Sequence, residues 1–179
     1  IIDGPRRISY RDMFGRCRRA ADALRKAGVG SLDTVSVFAP NSVAMLEMHY
    51  AAPMAGAVLN AINFRLDAPT VAFILEHAES KVFLFDSELG PVARAALAQV
   101  KRPLTVVEAA APGHTAKGDF VEYEAFLASG DPEGGIDWPE EEWRAISLNY
   151  TSGTTGNPKG VVCHHRGAYL NALGQGLEI

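Results

Sequence analysis

Short apolar runs alternate with longer helical patterns along most of this chain, and that alternation restricts the fold more than any other feature. Residues 34–38 (TVSVF), 57–62 (AVLNAI), 81–85 (KVFLF) and 104–107 (LTVV) read as buried strands, each too short for a helix. Between them, residues 43–55 form an apolar helix whose composition predicts burial on several sides, after a turn and cap at Pro40-Asn41-Ser42. Pro69 opens a helix to His77, and residues 91–100 are alanine-rich and amphipathic. Strand–helix alternation without short hairpin signals predicts an α/β fold: a mainly parallel sheet with helices on both faces.

Ahead of the first strand, Tyr10, Met13, Phe14, Cys17, Ala21 and Leu24 recur at helical spacing, with Ser9 and Asp12 as a capping-box start and Gly28 as the stop. Residues 1–26 hold eight Lys or Arg against three Asp. A targeting peptide is one reading of that excess; a solvated basic helix face, with Arg11, Arg16, Arg18, Arg19, Arg25 and Lys26 off the apolar stripe, is the one adopted. Residues 109–119 and 130–142 are loops, the second acidic and rich in Gly and Pro, with a short helix over 120–128 between them. Solvated carboxylates account for the acidic run better than a metal site.

With 47% hydrophobic and 21% charged residues in 179, the chain can bury one sizeable core. A net charge of -4 lacks the basic excess that nucleic acid demands. No apolar run approaches the roughly 18 residues of a membrane span. Cys17 and Cys163 lie far apart without metal-ligand spacing, which predicts a reducing, cytoplasmic setting.

One segment falls outside ordinary connection chemistry. Residues 150–160 read YTSGTTGNPKG, between apolar runs at 145–148 and 161–163. Glycine lets backbone N–H groups turn toward an anion without interference from a Cβ, Ser and Thr hydroxyls add donors, and lysine adds a point charge. The set suits a polyphosphate. It is not a Walker A loop, because Pro158 precedes Lys159 and Gly160 follows it, where a magnesium-binding hydroxyl belongs. The nucleophile elbow of hydrolases is also absent around Ser152.

The stretch YTSGTTGNPKGVV closely resembles the phosphate-loop signature of the adenylate-forming (AMP-binding) enzymes, the superfamily of acyl-CoA synthetases, firefly luciferases and peptide-synthetase adenylation domains. ISYRDMFGRCRRAADALRKAGV, VSVFAPNS, YAAPMAGAVLNAINFRL and AFILEHAESKVFLFD resemble successive N-terminal blocks of acyl-CoA synthetases, so the likeness covers nearly the whole chain. GAVLNAINFRL leans toward the fatty-acyl branch. Cys163-His164-His165-Arg166 departs from the pattern, since many relatives carry Ser or Thr followed by one His.

The resemblance implies a two-step reaction: a carboxylic acid attacks the α-phosphate of ATP, releasing pyrophosphate, and coenzyme A then takes the acyl group from acyl-AMP. Carried over residue by residue, Thr151, Ser152, Gly153, Thr154, Thr155, Gly156 and Lys159 are the nucleotide contacts, with Lys159 also the catalytic group, while Pro158 and Gly160 shape the loop. Mg²⁺ would bridge the phosphates, and no metal residue is named. The family's ribose-binding Asp and carboxylate-positioning Lys lie downstream, whereas after Gly160 only Glu178 is acidic and no lysine remains. Residues 1–179 therefore read as the N-terminal portion of an AMP-binding domain. A non-catalytic nucleotide-binding module and an adenylation domain that loads a carrier protein are the competing readings.

The histidines are assigned packing or surface roles. His164 and His165 are adjacent, and adjacent strand residues point to opposite faces, so they do not share a metal. His49 and His77 fall in helical patterns and His114 in a loop. Cys163 reads as a small buried strand residue.

Overall fold

The structure, a computed structural model, describes residues 1–4, 6–111, 115–151 and 157–177. A two-stranded antiparallel ribbon, β1 (Ile2–Asp3) and β2 (Arg6–Arg7), leads into helix α1 (Tyr10–Lys26). There follow β3 (Thr34–Phe38), α2 (Val43–Met54), β4 (Val58–Ile62), α3 (Ala68–His77), β5 (Ser80–Asp86), α4 (Gly90–Leu97) and β6 (Thr105–Ala109). The chain closes with β7 (Val121–Glu122), α5 (Tyr123–Ala128), β8 (Ala145–Thr151), β9 (Lys159–His164) and α6 (His165–Leu177).

Strands β3 to β9 form one sheet in the order β7-β6-β5-β3-β4-β8-β9, parallel throughout except for the antiparallel β8–β9 pair at one edge. The placement of the helices follows from the right-handed crossover rule. Passing from β3 to β4 puts α2 on one face. Returning past β3 to β5, and on to β6, reverses direction and puts α3 and α4 on the other. The path from β7 back to β8 reverses again and returns α5 to the face of α2.

Side-chain alternation sorts the core accordingly. Val35, Val37, Val82 and Leu84 join α1, α2 and α5 in one apolar cluster, while Phe38, Phe83 and Phe85 join α3 and α4 in the other. Both faces of β3 and β5 are buried, which explains why they read as mainly apolar; the buried Ser36 of β3 is paired, its Oγ 2.6 Å from Ser80 Oγ and accepting from Asn60 Nδ2 at 2.9 Å.

Several expectations need correction. Tyr10 and Phe14 do not continue the buried stripe of α1; they are exposed and line an apolar groove with Leu46 and Tyr50 of α2. The basic face of α1 is solvated only in part: Arg11 and Lys26 are exposed, while Arg16, Arg18, Arg19 and Arg25 are half-buried. Arg18 donates to the Gly134 carbonyl, Arg19 to Gly130, Arg25 to Met54 and Gly135, and Lys26 to Ser129, so the face grips the 129–135 loop by its backbone. Carbonyls that a loop cannot pair within itself find donors here. The contact is close enough that a Cβ on Gly130 would lie 1.9 Å from the Arg19 carbonyl oxygen. At the start of α1, Ser9 Oγ accepts from the Asp12 N–H and donates to the Asp12 carboxylate, a variant of the reciprocal cap expected there.

The helix expected over 120–128 begins at Tyr123, because Val121 and Glu122 extend the sheet as β7 beside β6. The β8–β9 hairpin gave no hairpin signal in sequence, since its connection is far longer than a two-residue turn.

Candidate functional site: the β8–β9 hairpin

Strand β8 runs parallel to β4, with Leu59 opposite Ser147, so its last residue, Thr151, lies at a carboxyl end of the parallel sheet. Open α/β sheets take their ligands there. In the β8–β9 ladder Thr151 faces Lys159, Tyr150 faces Gly160, Asn149 faces Val161 and Leu148 faces Val162. Residues directly opposite in an antiparallel pair share a face, and consecutive residues alternate. Thr151 and Lys159 therefore stand side by side on one face, both exposed, while Leu148, Tyr150, Gly160 and Val162 take the other.

Of the seven residues carried over as nucleotide contacts, the structure brings together Thr151 and Lys159, the two stems of the loop. Ser152, Gly153, Thr154, Thr155 and Gly156 lie outside the described residues. The hydroxyl of Thr151 and the ammonium of Lys159 supply one neutral donor and one positive charge at the same mouth, which fits a phosphate.

On the opposite face Tyr150 is packed, while Gly160 and Val162 are exposed. Tyr150 joins the apolar cluster of α3 and α4, and burial raises its phenol above the ordinary value, so it stays protonated at neutral pH. Its hydroxyl lies 2.7 Å from His77 Nδ1 on α3, with the rings edge to face at 5.7 Å. Phe73, one turn earlier on α3, stacks on the His77 ring at 5.3 Å. Across the hairpin the Tyr150 ring lies over Gly160: a Cβ there would meet Leu148 Cδ1 at 2.9 Å and Tyr150 Cζ at 3.5 Å. The sequence predicts a structural or exposed role for His77, and the residue is exposed. Its partner is 73 residues away, and nothing in local spacing signals the pair.

The far end of the hairpin is held differently. His164 closes β9 and His165 opens α6, so the two straddle a strand–helix boundary and do not alternate along one strand. His164 Nδ1 accepts from the Gly167 N–H at 2.9 Å, a side-chain cap for the first turn of α6, and its ring packs 4.7 Å from Trp143. His165 N–H donates to the Arg144 carbonyl, and burial, with the Arg144 charge adding, holds the His165 ring below its ordinary value. Cys163, expected to be buried, is half-buried opposite Ser147. Among the described residues no three of His, Cys, Asp and Glu are grouped to hold a metal ion.

A parallel sheet with helices on both faces, whose carboxyl edge carries Thr151 and Lys159 at the two stems of one connection, has the architecture of an open α/β ligand-binding protein. Residues 1–178 match the family model described as AMP-binding enzyme, and the chain belongs to that family. It is 46% identical over 187 residues to the peroxisomal acetate/butyrate–CoA ligase of Arabidopsis thaliana, covering 97% of this chain and 33% of that protein. Against an acetate–CoA ligase of Humulus lupulus it is 45% identical over 189 residues, again 97% of this chain and 33% of the relative. In fold it is similar to an anthranilate CoA ligase crystallised with anthranoyl-AMP, at a TM-score of 0.87 and 21% identity, covering 95% of this chain and 32% of that one. The chain thus spans about a third of the length of the relatives it matches.

Proposed function

We propose that the full-length protein is an acid–thiol ligase, an AMP-forming acyl-CoA synthetase, and that residues 1–179 are the N-terminal portion of its AMP-binding domain. The observation that carries this reading is the pairing of Thr151 with Lys159 on one face of the hairpin, at the two stems of the loop Ser152 to Gly156. In the first half-reaction a carboxylate oxygen of the acid bonds to the α-phosphorus of ATP while the bond to the β-phosphate oxygen breaks. Acyl-AMP and pyrophosphate result. In the second, the sulfur of coenzyme A bonds to the acyl carbon, AMP leaves and the thiol proton passes to solvent.

Lys159 and the hydroxyls of Thr151, Ser152, Thr154 and Thr155 hold the β- and γ-phosphates, with Gly153 and Gly156 giving backbone N–H groups access. Positive charge and fixed donors at that position reduce the repulsion between carboxylate and triphosphate and stabilise the departing pyrophosphate. Mg²⁺, for which no residue of this chain is named as a ligand, would offset the phosphate charge alongside Lys159. The acid is of the fatty-acyl class, which the acetate and butyrate in the names of the two plant relatives support at short chain length.

Incubation of the full-length protein with ATP, coenzyme A and a panel of short and medium-chain acids tests the reading. AMP, pyrophosphate and acyl-CoA in equal amounts are expected. ADP and phosphate, or nucleotide binding without turnover for any acid, would overturn it; acyl transfer to a carrier protein and never to coenzyme A would move the chain to the carrier-loading class. The thiol content suits a cytoplasmic enzyme, and the peroxisomal label in the name of the Arabidopsis relative gives the alternative that imaging the full-length protein would separate.

A further inference from the structure

Resting on that reading, we propose that His77 is a positioning residue for the phosphate loop: through the Tyr150 hydroxyl it fixes the strand end from which Thr151 enters the loop. Three observations carry it. The bond is short, 2.7 Å, and joins residues on different elements, α3 and β8. The Tyr150 ring also lies across Gly160, so the one side chain that His77 holds touches both strands framing the loop.

The mount is itself anchored. Phe73 stacks on the His77 ring, and the neighbouring Glu76 carboxylate accepts the backbone N–H groups of Lys101 and Arg102 while Arg102 Nη1 donates to the Glu76 carbonyl at 3.1 Å. The end of α3 is thereby tied to the segment after α4, and a pull on Tyr150 does not simply swing the helix end. Thr151 and Lys159 occupy the face opposite Tyr150 and Gly160, so His77 acts from behind the hairpin and does not touch the nucleotide. A hydroxyl and an ammonium that must meet phosphate oxygens within a few tenths of an ångström need such support from the other face of the hairpin.

The test uses the full-length protein and acid-dependent exchange of labelled pyrophosphate into ATP. Tyr150→Phe keeps the ring and removes the hydroxyl; His77→Ala removes its partner. Each is expected to raise KM for ATP about fivefold, the equivalent of one net hydrogen bond. The double variant should be no worse than either single one, since both remove the same bond. His77→Asn, which returns a polar nitrogen near the Nδ1 position, should recover most of the loss. KM for the acid should stay unchanged throughout. An unchanged KM for ATP in both single variants, additive effects in the double, or an equal rise in KM for the acid would overturn the inference. No exchange by the unaltered protein with any acid would instead remove the functional reading, and this inference with it.

Discussion

Removing Arg16 is expected to destabilise the fold out of proportion to its partly exposed position. Its guanidinium binds the Glu47 carboxylate through Nε and Nη2, and the Glu124 carboxylate at 2.8 and 2.7 Å. Glu47 has no exposed side-chain surface, and its remaining partner is the Tyr123 hydroxyl at 2.7 Å. Hydrogen bonding to Glu124, with Glu47 adding, holds Arg16 above its ordinary value against the cost of burial, and burial, with the Glu47 charge adding, holds the Tyr123 phenol well above its own. Arg16 thus keeps its charge and Tyr123 its proton, and three helices, α1, α2 and α5, meet at one buried carboxylate.

Breaking a buried ion pair from one side costs about 3–5 kcal/mol, because the surviving charge stays buried. Arg16 is 20% exposed and Tyr123 still donates to Glu47, which sets Arg16→Met at the lower end, about 3 kcal/mol. Replacing the whole group, Arg16→Met with Glu47→Met and Tyr123→Phe, leaves no buried charge and should return to within about 1 kcal/mol of the unaltered protein. Urea unfolding at neutral pH, followed by circular dichroism, measures both, and an unchanged m-value certifies that stability is what moved. A triple variant as unstable as Arg16→Met alone would place the loss in packing and not in an unpaired buried charge.

Glu124 is held below its ordinary carboxylate value of 4.5, first by the Arg16 hydrogen bond and then by the Arg16 and Arg6 charges. A depressed carboxylate stabilises fully above about pH 4.5 and loses that contribution as pH falls through the lower folded value, so Glu124→Gln should flatten the acid limb of a stability–pH titration below that point. Gly130→Ala places a methyl group against the Arg19 carbonyl; the 129–135 loop should lift from α1 at a cost of about 1–3 kcal/mol, and limited proteolysis should cut there first. Burial, with the Glu47 charge adding, pushes the Cys17 thiol up to about 12, so mass-mapped alkylation at pH 8 should label Cys163 while Cys17 stays unmodified until the chain unfolds.

Strands β3, β4 and β5 were legible because a strand buried on both faces needs a mainly apolar run, and the chain supplies one each time, with the buried Ser36, Asn60 and Ser80 hydrogen-bonded to one another. Strand β7 was not: its two residues, Val121 and Glu122, carry no periodicity and exist as a strand only because β6 offers an edge. The basic residues of α1 looked solvated because their acceptors are backbone carbonyls more than a hundred residues on, which no side-chain pattern announces. Glu47 and Glu108 are both buried charges whose partners, Arg16 and Arg94, belong to other elements. Of the site, the residue types at the loop's stems were legible and their common face was not, since it depends on a register that only the folded hairpin sets.

The proposed function requires that the connection between Thr151 and Lys159 grip a triphosphate while a carboxylate attacks it. Pyrophosphate–ATP exchange by the full-length protein, with the substrate acid present and absent and with Lys159→Ala alongside, measures that step without the thiol. Exchange that requires the acid and falls at least about tenfold in the variant, at unchanged unfolding midpoint, is the predicted result. Exchange at the same rate in both proteins would contradict it.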